Sequence, residues 1–321
     1  MGVWTERKAG SGEDAEPLLL HDWSHNAGLA AVFDGAGGAG AASAGHSAQG
    51  VERSHAWVAA RAARGLTEEW FVTTGQHGVQ DHAASLEQHL AERLGEVRGA
   101  SRSRIAGSMR RDLPTTVAAL RYEVHPDRVV WQVLWAGDSR CYLLDSEHGL
   151  QQVSRDDAES GDALVLLTED PPMTNMVSAN RRFTIHAAPG HAAIPCLLVC
   201  ATDGFFGYLN TPAEFEFLLL DTMANAADLT DWSTLLTQTV SSYTGDDASL
   251  ALVALGFDDF DQLRADFEWR RSALQAEHIE PTRRASDGDR ESFVAARMES
   301  WKLYRGSYEQ RMPRQHGQER P

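Results

Sequence analysis

Two periodicities divide the chain. Ala30-Ala31-Val32-Phe33 is an unbroken apolar run that stops at Asp34 and the glycine-rich stretch Gly35-Ala36-Gly37-Gly38, a pattern that predicts a buried strand ending on a carboxylate. Leu197 to Thr202 runs in the same way into Asp203-Gly204, and Gly245-Asp246-Asp247 opens directly into Ala248 to Val253. Glu13-Asp14 stands before the short run Leu18-Leu19-Leu20, so residues 1–38 read as two strands around Glu13-Asp14 and Asp34. Pro114 to Leu120 begins a further β region. Arg128 to Trp135, the turn Ala136-Gly137-Asp138-Ser139 and Arg140 to Leu144 then read as a hairpin.

Helical spacing takes over between these segments. Residues 39–70, with Val51, Trp57, Val58 and Ala62, and residues 81–111, with Leu86, Leu90, Leu94 and Val97, read as helices packed on a core. Thr211-Pro212-Ala213-Glu214 is a capping box with proline at the first helical position, and it starts a helix through Met223. Asp231 to Tyr243 reads as the next helix, and residues 155–190, which include Pro171-Pro172, read as an irregular flap. After Gly256 the character changes: Phe257, Phe260, Leu263 and Phe267 form one stripe, Phe293, Arg297, Trp301, Tyr304 and Tyr308 another, with a polar loop at 281–289 between them. This divides the chain into a domain at 1–256 and a helical C-terminal extension at 257–321. The extension is either a hairpin packed on the main domain or a docking surface for a partner. Arg283-Arg284-Ala285-Ser286 has the form of a basic-directed phosphorylation site.

Composition narrows the function. The net charge of −17 argues against a nucleic-acid binder working through a basic surface. No apolar run approaches the ~18 residues of a membrane span, and the first residues have no signal-peptide core, so no membrane partner is expected. Cys141, Cys196 and Cys200 each lie in or beside an apolar run and read as buried reduced thiols, which fits the cytoplasm.

The strand-terminal carboxylates change the picture most. Asp34, Asp203 or Asp246 alone reads as a turn residue. Several such groups converging on one point would repel strongly unless a cation held them, which predicts a hard-metal site built from oxygen ligands. Asp138 and Arg140 read equally well as stabilisers of their hairpin turn. His21, His25, His46 and His77 show no partnered spacing. Gly35 to Gly40 also spells the G-x-G-x-x-G of a dinucleotide-binding oxidoreductase. Against that reading, Asp34 would push its charge toward a pyrophosphate, and Glu52, at the distance of a ribose-binding acid, falls in a helical region. Ser47, in Gly45-His46-Ser47-Ala48-Gln49-Gly50, lacks the G-x-S-x-G spacing of a nucleophile.

Taken in order, these elements resemble the metal-dependent serine/threonine protein phosphatases of the PPM, or 2C, type. Glu13-Asp14 matches that family's early Glu-Asp, and Asp34-Gly35-Ala36-Gly37-Gly38 its Asp-Gly-x-Gly-Gly. Thr115-Thr116-Val117-Ala118 resembles its Gly-Thr-Thr-Ala strand, and Gly137-Asp138-Ser139-Arg140 matches its turn. Thr202-Asp203-Gly204 matches its Ser-Asp-Gly, and Gly245-Asp246-Asp247 its closing Asp-Asn. The resemblance implies an α+β, four-layer α/β/β/α sandwich of two antiparallel sheets flanked by helices. It implies two Mn²⁺ or Mg²⁺ ions: Asp34 bridging them, Asp203 and Asp246 completing one site, the Gly35 carbonyl on the other, and Glu13 and Asp14 acting through water. Asp138, with Asp203, would hold a third metal. The nucleophile would be a water bridging the two ions, and the substrate a phosphoprotein of a serine/threonine kinase system. The family's phosphate-gripping arginine is missing, since Ala9, Gly10 and Ser11 hold its places, and Lys8 or Arg7 is the candidate replacement. Ala36 stands where some members carry a histidine, Gly207 where a further aspartate is usual, and Asp247 where the family has asparagine. The competing reading is a catalytically silent domain of the same fold that binds a phosphoprotein or partner.

Overall fold

Alternation along the strands sorts their side chains onto two faces, and the chain builds two sheets from them. In the computed structural model, which describes residues 1–47, 49–75, 81–98, 112–158, 164 and 172–314, every pairing between strands is antiparallel. One sheet has the order β1-β12-β11-β8-β9, formed by Gly2–Thr5, Ala248–Leu255, Cys196–Ala201, Arg140–Asp145 and Gly149–Gln152. The other has the order β10-β7-β6-β3-β2, formed by His186–Ala193, Arg128–Ala136, Val117–Val124, Ala27–Val32 and Leu18–Asp22. In β3, Ala30 and Val32 face the opposite sheet, while Leu29 and Ala31 face the helices. In β11, Cys196, Leu198 and Cys200 point inward and Leu197, Val199 and Ala201 outward. Cys200 and Cys141 are directly opposed across β11 and β8, with their sulfurs 3.5 Å apart.

Helices cover both outer faces. Helix α2 (His55–Trp70; α1 is the single turn Gly37–Gly40) and α3 (His82–Arg98) lay Ala59, Ala63, Trp70, Leu86 and Leu90 against one sheet. Ser54 caps α2 by accepting the Trp57 N–H at 3.0 Å. On the other sheet, after the single turn α4 (Asp203–Phe206), come α5 (Pro212–Asn225) and α6 (Leu229–Tyr243). They are followed by α7 (Phe260–Leu274), α8 (Glu280–Ser286) and α9 (Arg290–Tyr308), so the layers run helix, sheet, sheet, helix. The C-terminal helices are fastened by a buried group: Glu216 on α5, 0% exposed, accepts Arg270 Nε at 2.7 Å and Nη2 at 2.9 Å, and the Tyr304 hydroxyl.

The structure corrects five expectations. The strands on either side of Gly137-Asp138-Ser139 form no hairpin: β7 pairs with β6 and β10 in one sheet and β8 with β11 and β9 in the other, so the turn carries the chain across from one sheet to the other. Residues 1–38 hold three strands, β1 to β3, because Gly2–Thr5 pairs with β12 at the far end of the chain. Beyond the single turn α1, the described residues of 41–54 are not helical: glycines interrupt the alanines, and Ser43–His46 and Glu52–Ser54 form a small hairpin, β4 and β5. Residues 281–289 are largely helical, with Pro281 near the start of α8, where a missing N–H costs nothing. The last part of the expected flap is the edge strand β10. The end of the helix predicted over 81–111, beyond Arg98, and His77 lie outside the described residues. The dinucleotide reading fails on geometry, since it needs parallel strands with a crossover helix and the strand before Gly35 is paired antiparallel on both sides. No helix among the described residues is long and apolar enough to cross a membrane.

Candidate active site

Where β3 ends, the backbone of Asp34 is gripped by the start of β6. Its N–H donates to Thr116 Oγ1 at 3.1 Å, and its carbonyl accepts from Thr116 N at 2.8 Å and Thr115 Oγ1 at 2.7 Å. Thr116 Oγ1 also shares a hydrogen bond of 2.7 Å with Ser139 Oγ, so the Thr-Thr pair ties Asp34 to the turn that carries Asp138. That turn requires glycine: Gly137 has φ +109°, and a Cβ there would lie 2.7 Å from the Thr116 side chain.

The other carboxylates are set around the same point. Asp14, 2% exposed, accepts Thr202 Oγ1 at 2.8 Å, which anchors it beside Asp203 at the start of α4. Gly204 is packed so closely on the Asp246-Asp247 segment that a Cβ would fall 1.9 Å from the Asp247 carbonyl oxygen. Asp247 is a clamp on the N-terminal loop: its carboxylate accepts the N–H of Arg7 at 2.8 Å and of Glu13 at 2.5 Å. Glu6 accepts the N–H groups of Gly10 at 2.6 Å and Gly12 at 3.0 Å in the same loop. Arg53 and Arg61 lie over the Trp57 ring at 4.3 and 4.1 Å and reach the carbonyls of Gly10, Gly12 and Glu13. The Glu13 side chain takes the Ser54 hydroxyl that also caps α2.

The electrostatics report the convergence. Burial pushes the Asp34 carboxyl well above the ordinary carboxylate range, and the neighbouring charges of Asp14, Asp203, Asp138 and Asp246 push it further. Asp14 is raised well above that range by burial, then by Asp203 and Asp247, and Asp138 by burial, then by Asp203 and Asp156. Glu13 and Asp246 are raised too, mainly by burial. Asp138 Oδ1 is buried and has no hydrogen-bond partner. Mutually repelling, oxygen-only donors with one orphaned atom fit a hard divalent cation. Among the described residues, no group of three or more Asp, Glu, His or Cys side chains is already arranged to hold a metal ion.

Asp34 therefore lies within electrostatic reach of Asp14, Asp138, Asp203 and Asp246, and Glu13 within reach of Asp246 and Asp247. Gly35 bridges to Thr115 in the same region. Lys8 is exposed on the clamped loop, while the charge of Arg7 reaches Asp246. Sequence reasoning missed Glu6, Ser54, Arg53, Arg61 and the clamping role of Asp247. Their targets are mostly main-chain groups of the N-terminal loop, which carry no signature in a sequence.

The family model described as protein phosphatase 2C matches residues 10–251. A search of curated proteins returns no match. Among solved structures, a bacterial serine phosphatase is similar at 16% identity and TM-score 0.57, covering 81% of this chain and 98% of that one. The serine/threonine phosphatase Stp1 from Staphylococcus aureus is similar at 16% identity and TM-score 0.55, covering 80% and 94%. The Mycobacterium tuberculosis serine/threonine phosphatase PstP/Ppp is similar at 12% identity and TM-score 0.52, covering 80% and 98%. These likenesses show the shared two-sheet fold.

Proposed function

Since the chain belongs to the protein phosphatase 2C family, whose enzyme class is protein serine/threonine phosphatase, we propose that it removes phosphate from phosphoserine and phosphothreonine side chains with the help of divalent metal. The observation that carries this reading is the convergence of Asp14, Asp138, Asp203 and Asp246 on the buried Asp34. Asp34, Asp203 and Asp246, with the Gly35 carbonyl, would hold a pair of Mn²⁺ or Mg²⁺ ions. Glu13 and Asp14 would orient water, and Asp138 would serve a further position. Bound there, such ions supply Lewis acidity toward water and phosphoryl oxygens.

The protein's own part is to place charges and exclude alternatives. Thr115 and Thr116 hold the backbone of Asp34, and Thr202 donates to the Asp14 carboxylate, so hydrogen bonds leave little freedom at the strand ends. The loop held by Glu6 and Asp247 presents Arg7 and Lys8 toward solvent beside the acidic cluster, where they would attract the substrate phosphate, Lys8 as a point charge and Arg7 through its planar guanidinium. Neutralising both residues, Arg7→Ala with Lys8→Ala, is expected to raise KM for a phosphopeptide about fivefold to tenfold with a smaller change in kcat. An unchanged KM would assign the phosphate grip to another residue. The substrate is read as a phosphoprotein of a serine/threonine kinase system. The three buried thiols support a reducing, cytoplasmic setting.

The test is phosphate release from a phosphothreonine peptide against Mn²⁺ and Mg²⁺ concentration. Release should rise saturably with metal and vanish with a chelator. A folded protein that releases nothing at any metal concentration would leave the silent, phosphoprotein-binding reading in its place.

A further inference from the structure

Residues 252–321 lie beyond the family match, yet their last helix is built into the back of the site. Arg140, two residues after Asp138, is 2% exposed. Its guanidinium meets the Asp156 carboxylate at 3.0 Å through Nε and 2.7 Å through Nη2, and lies 4.2 Å over the Phe206 ring. Tyr308 of α9, 1% exposed, closes the remaining side with its hydroxyl 3.4 Å from Arg140 Nη1. Arg155, the residue before Asp156, donates through Nε to the Pro313 carbonyl at 2.6 Å. Residues 308–313 thus hold both approaches to the Asp156-Asp157 corner.

That corner in turn holds the site. The Asp157 N–H donates to the Gly137 carbonyl at 2.9 Å, and the Gly137 N–H donates to Asp157 Oδ2 at 2.9 Å. Asp157 is also met by Asn175 Nδ2 at 2.7 Å, from the segment before β10, and by His186 Nε2 of β10 at 3.0 Å. Gln152 Nε2 donates to Asp156 Oδ1 at 3.0 Å, and Thr174 donates to the Asp157 carbonyl through N at 2.8 Å and Oγ1 at 2.9 Å. A cavity of about 390 Å³ lined by Trp135, Arg155, Thr174 and Pro313 leaves one side of the corner open. A buried guanidinium is stable only when its faces are dry and its donors are met, and here α9 supplies the last face. We propose that the C-terminal segment is a positioning element for the reaction centre, acting through Tyr308 and the Pro313 carbonyl on Arg140, Arg155 and Asp157 to set where the Asp138 turn stands. Only its consequence for turnover rests on the phosphatase reading.

The experiment follows hydrogen exchange at the Gly137 amide in the full chain, for wild type, Tyr308→Phe, Arg155→Gln and Arg155→Lys, alongside the Mn²⁺ concentration giving half-maximal phosphate release. Tyr308→Phe and Arg155→Gln should each speed Gly137 exchange about tenfold, the scale of one lost hydrogen bond, while amides of β6 keep their wild-type rates. Both variants should need more Mn²⁺, and Arg155→Lys, which keeps a donor, should recover most of the protection. Unchanged Gly137 exchange, or equal acceleration across both sheets, would overturn the proposal, because a purely structural tail loosens everything together. If exchange responds as expected but the wild type releases no phosphate, the brace stands and the phosphatase reading falls.

Discussion

Asp34→Asn is expected to lower phosphate release by at least about 10³-fold, roughly 4 kcal/mol in activation free energy, while making the metal-free protein more stable. The two effects have one cause. Asp34 is buried at the centre of a ring of like charges, which holds its carboxyl well above the ordinary range, so the ionised form opposes folding unless a cation is present. A group whose pKa is raised on folding contributes stability that is complete below its unfolded value, about 3.9, and is lost as pH rises through the folded value. In a chelator, wild-type melting temperature should therefore fall as pH rises above about 4. Asp34→Asn should flatten that decline, and Mn²⁺ should restore stability to wild type far more than to the variant. Thermal melts across pH, with and without chelator, decide the matter. A variant that melts lower than wild type in chelator at neutral pH, or keeps its turnover, would show that Asp34 is a turn residue.

Asp156→Ala is expected to cost about 3–5 kcal/mol, a drop on the order of 10 °C in melting temperature. It strands the Arg140 guanidinium in a space walled by Phe206 and Tyr308, without the carboxylate that meets its charge. The loss comes from the orphaned charge rather than from the worth of the ion pair. A paired replacement, Arg140→Met with Asp156→Leu, should accordingly regain most of the stability. A loss under about 1 kcal/mol for Asp156→Ala would mean that the guanidinium finds solvent, and that the pair behaves as a surface salt bridge.

The parts of the fold that were legible in the sequence are those where one local signal speaks for itself. The run into Asp34 and the helix start at Thr211 each fold as their residues indicate, with Thr211 Oγ1 accepting the Glu214 N–H at 3.3 Å. The two strands read as a hairpin from Arg128 to Leu144 form but join different sheets, because turn chemistry does not encode a strand's partner. Strand β10 was hidden because an edge strand of small residues, with Pro189 in the middle and alternate positions open to solvent, has no hydrophobic face to display. Alanine content suggested helix over 39–54, but glycines at 45 and 50 adopt positive φ and turn the chain back. In the site, the carboxylates could be ordered from their motifs, whereas Arg140 could not be placed. Its burial depends on Tyr308, 168 residues away, and no local pattern encodes a contact of that range.

The three cysteines lead to a practical consequence. Cys141, Cys196 and Cys200 are each 0% exposed, all on the faces where the two sheets meet, and burial raises the thiols of Cys141 and Cys196, the latter to about 12. A modifying reagent can reach these sulfurs only during the moments when the sandwich parts. Their labelling rate in native buffer is therefore a clock for that opening, one that needs no denaturant and no added probe. Because the strands that carry Cys141 and Cys200 also end in the Arg140 turn and at Asp203, the same clock should slow when the reaction centre is filled.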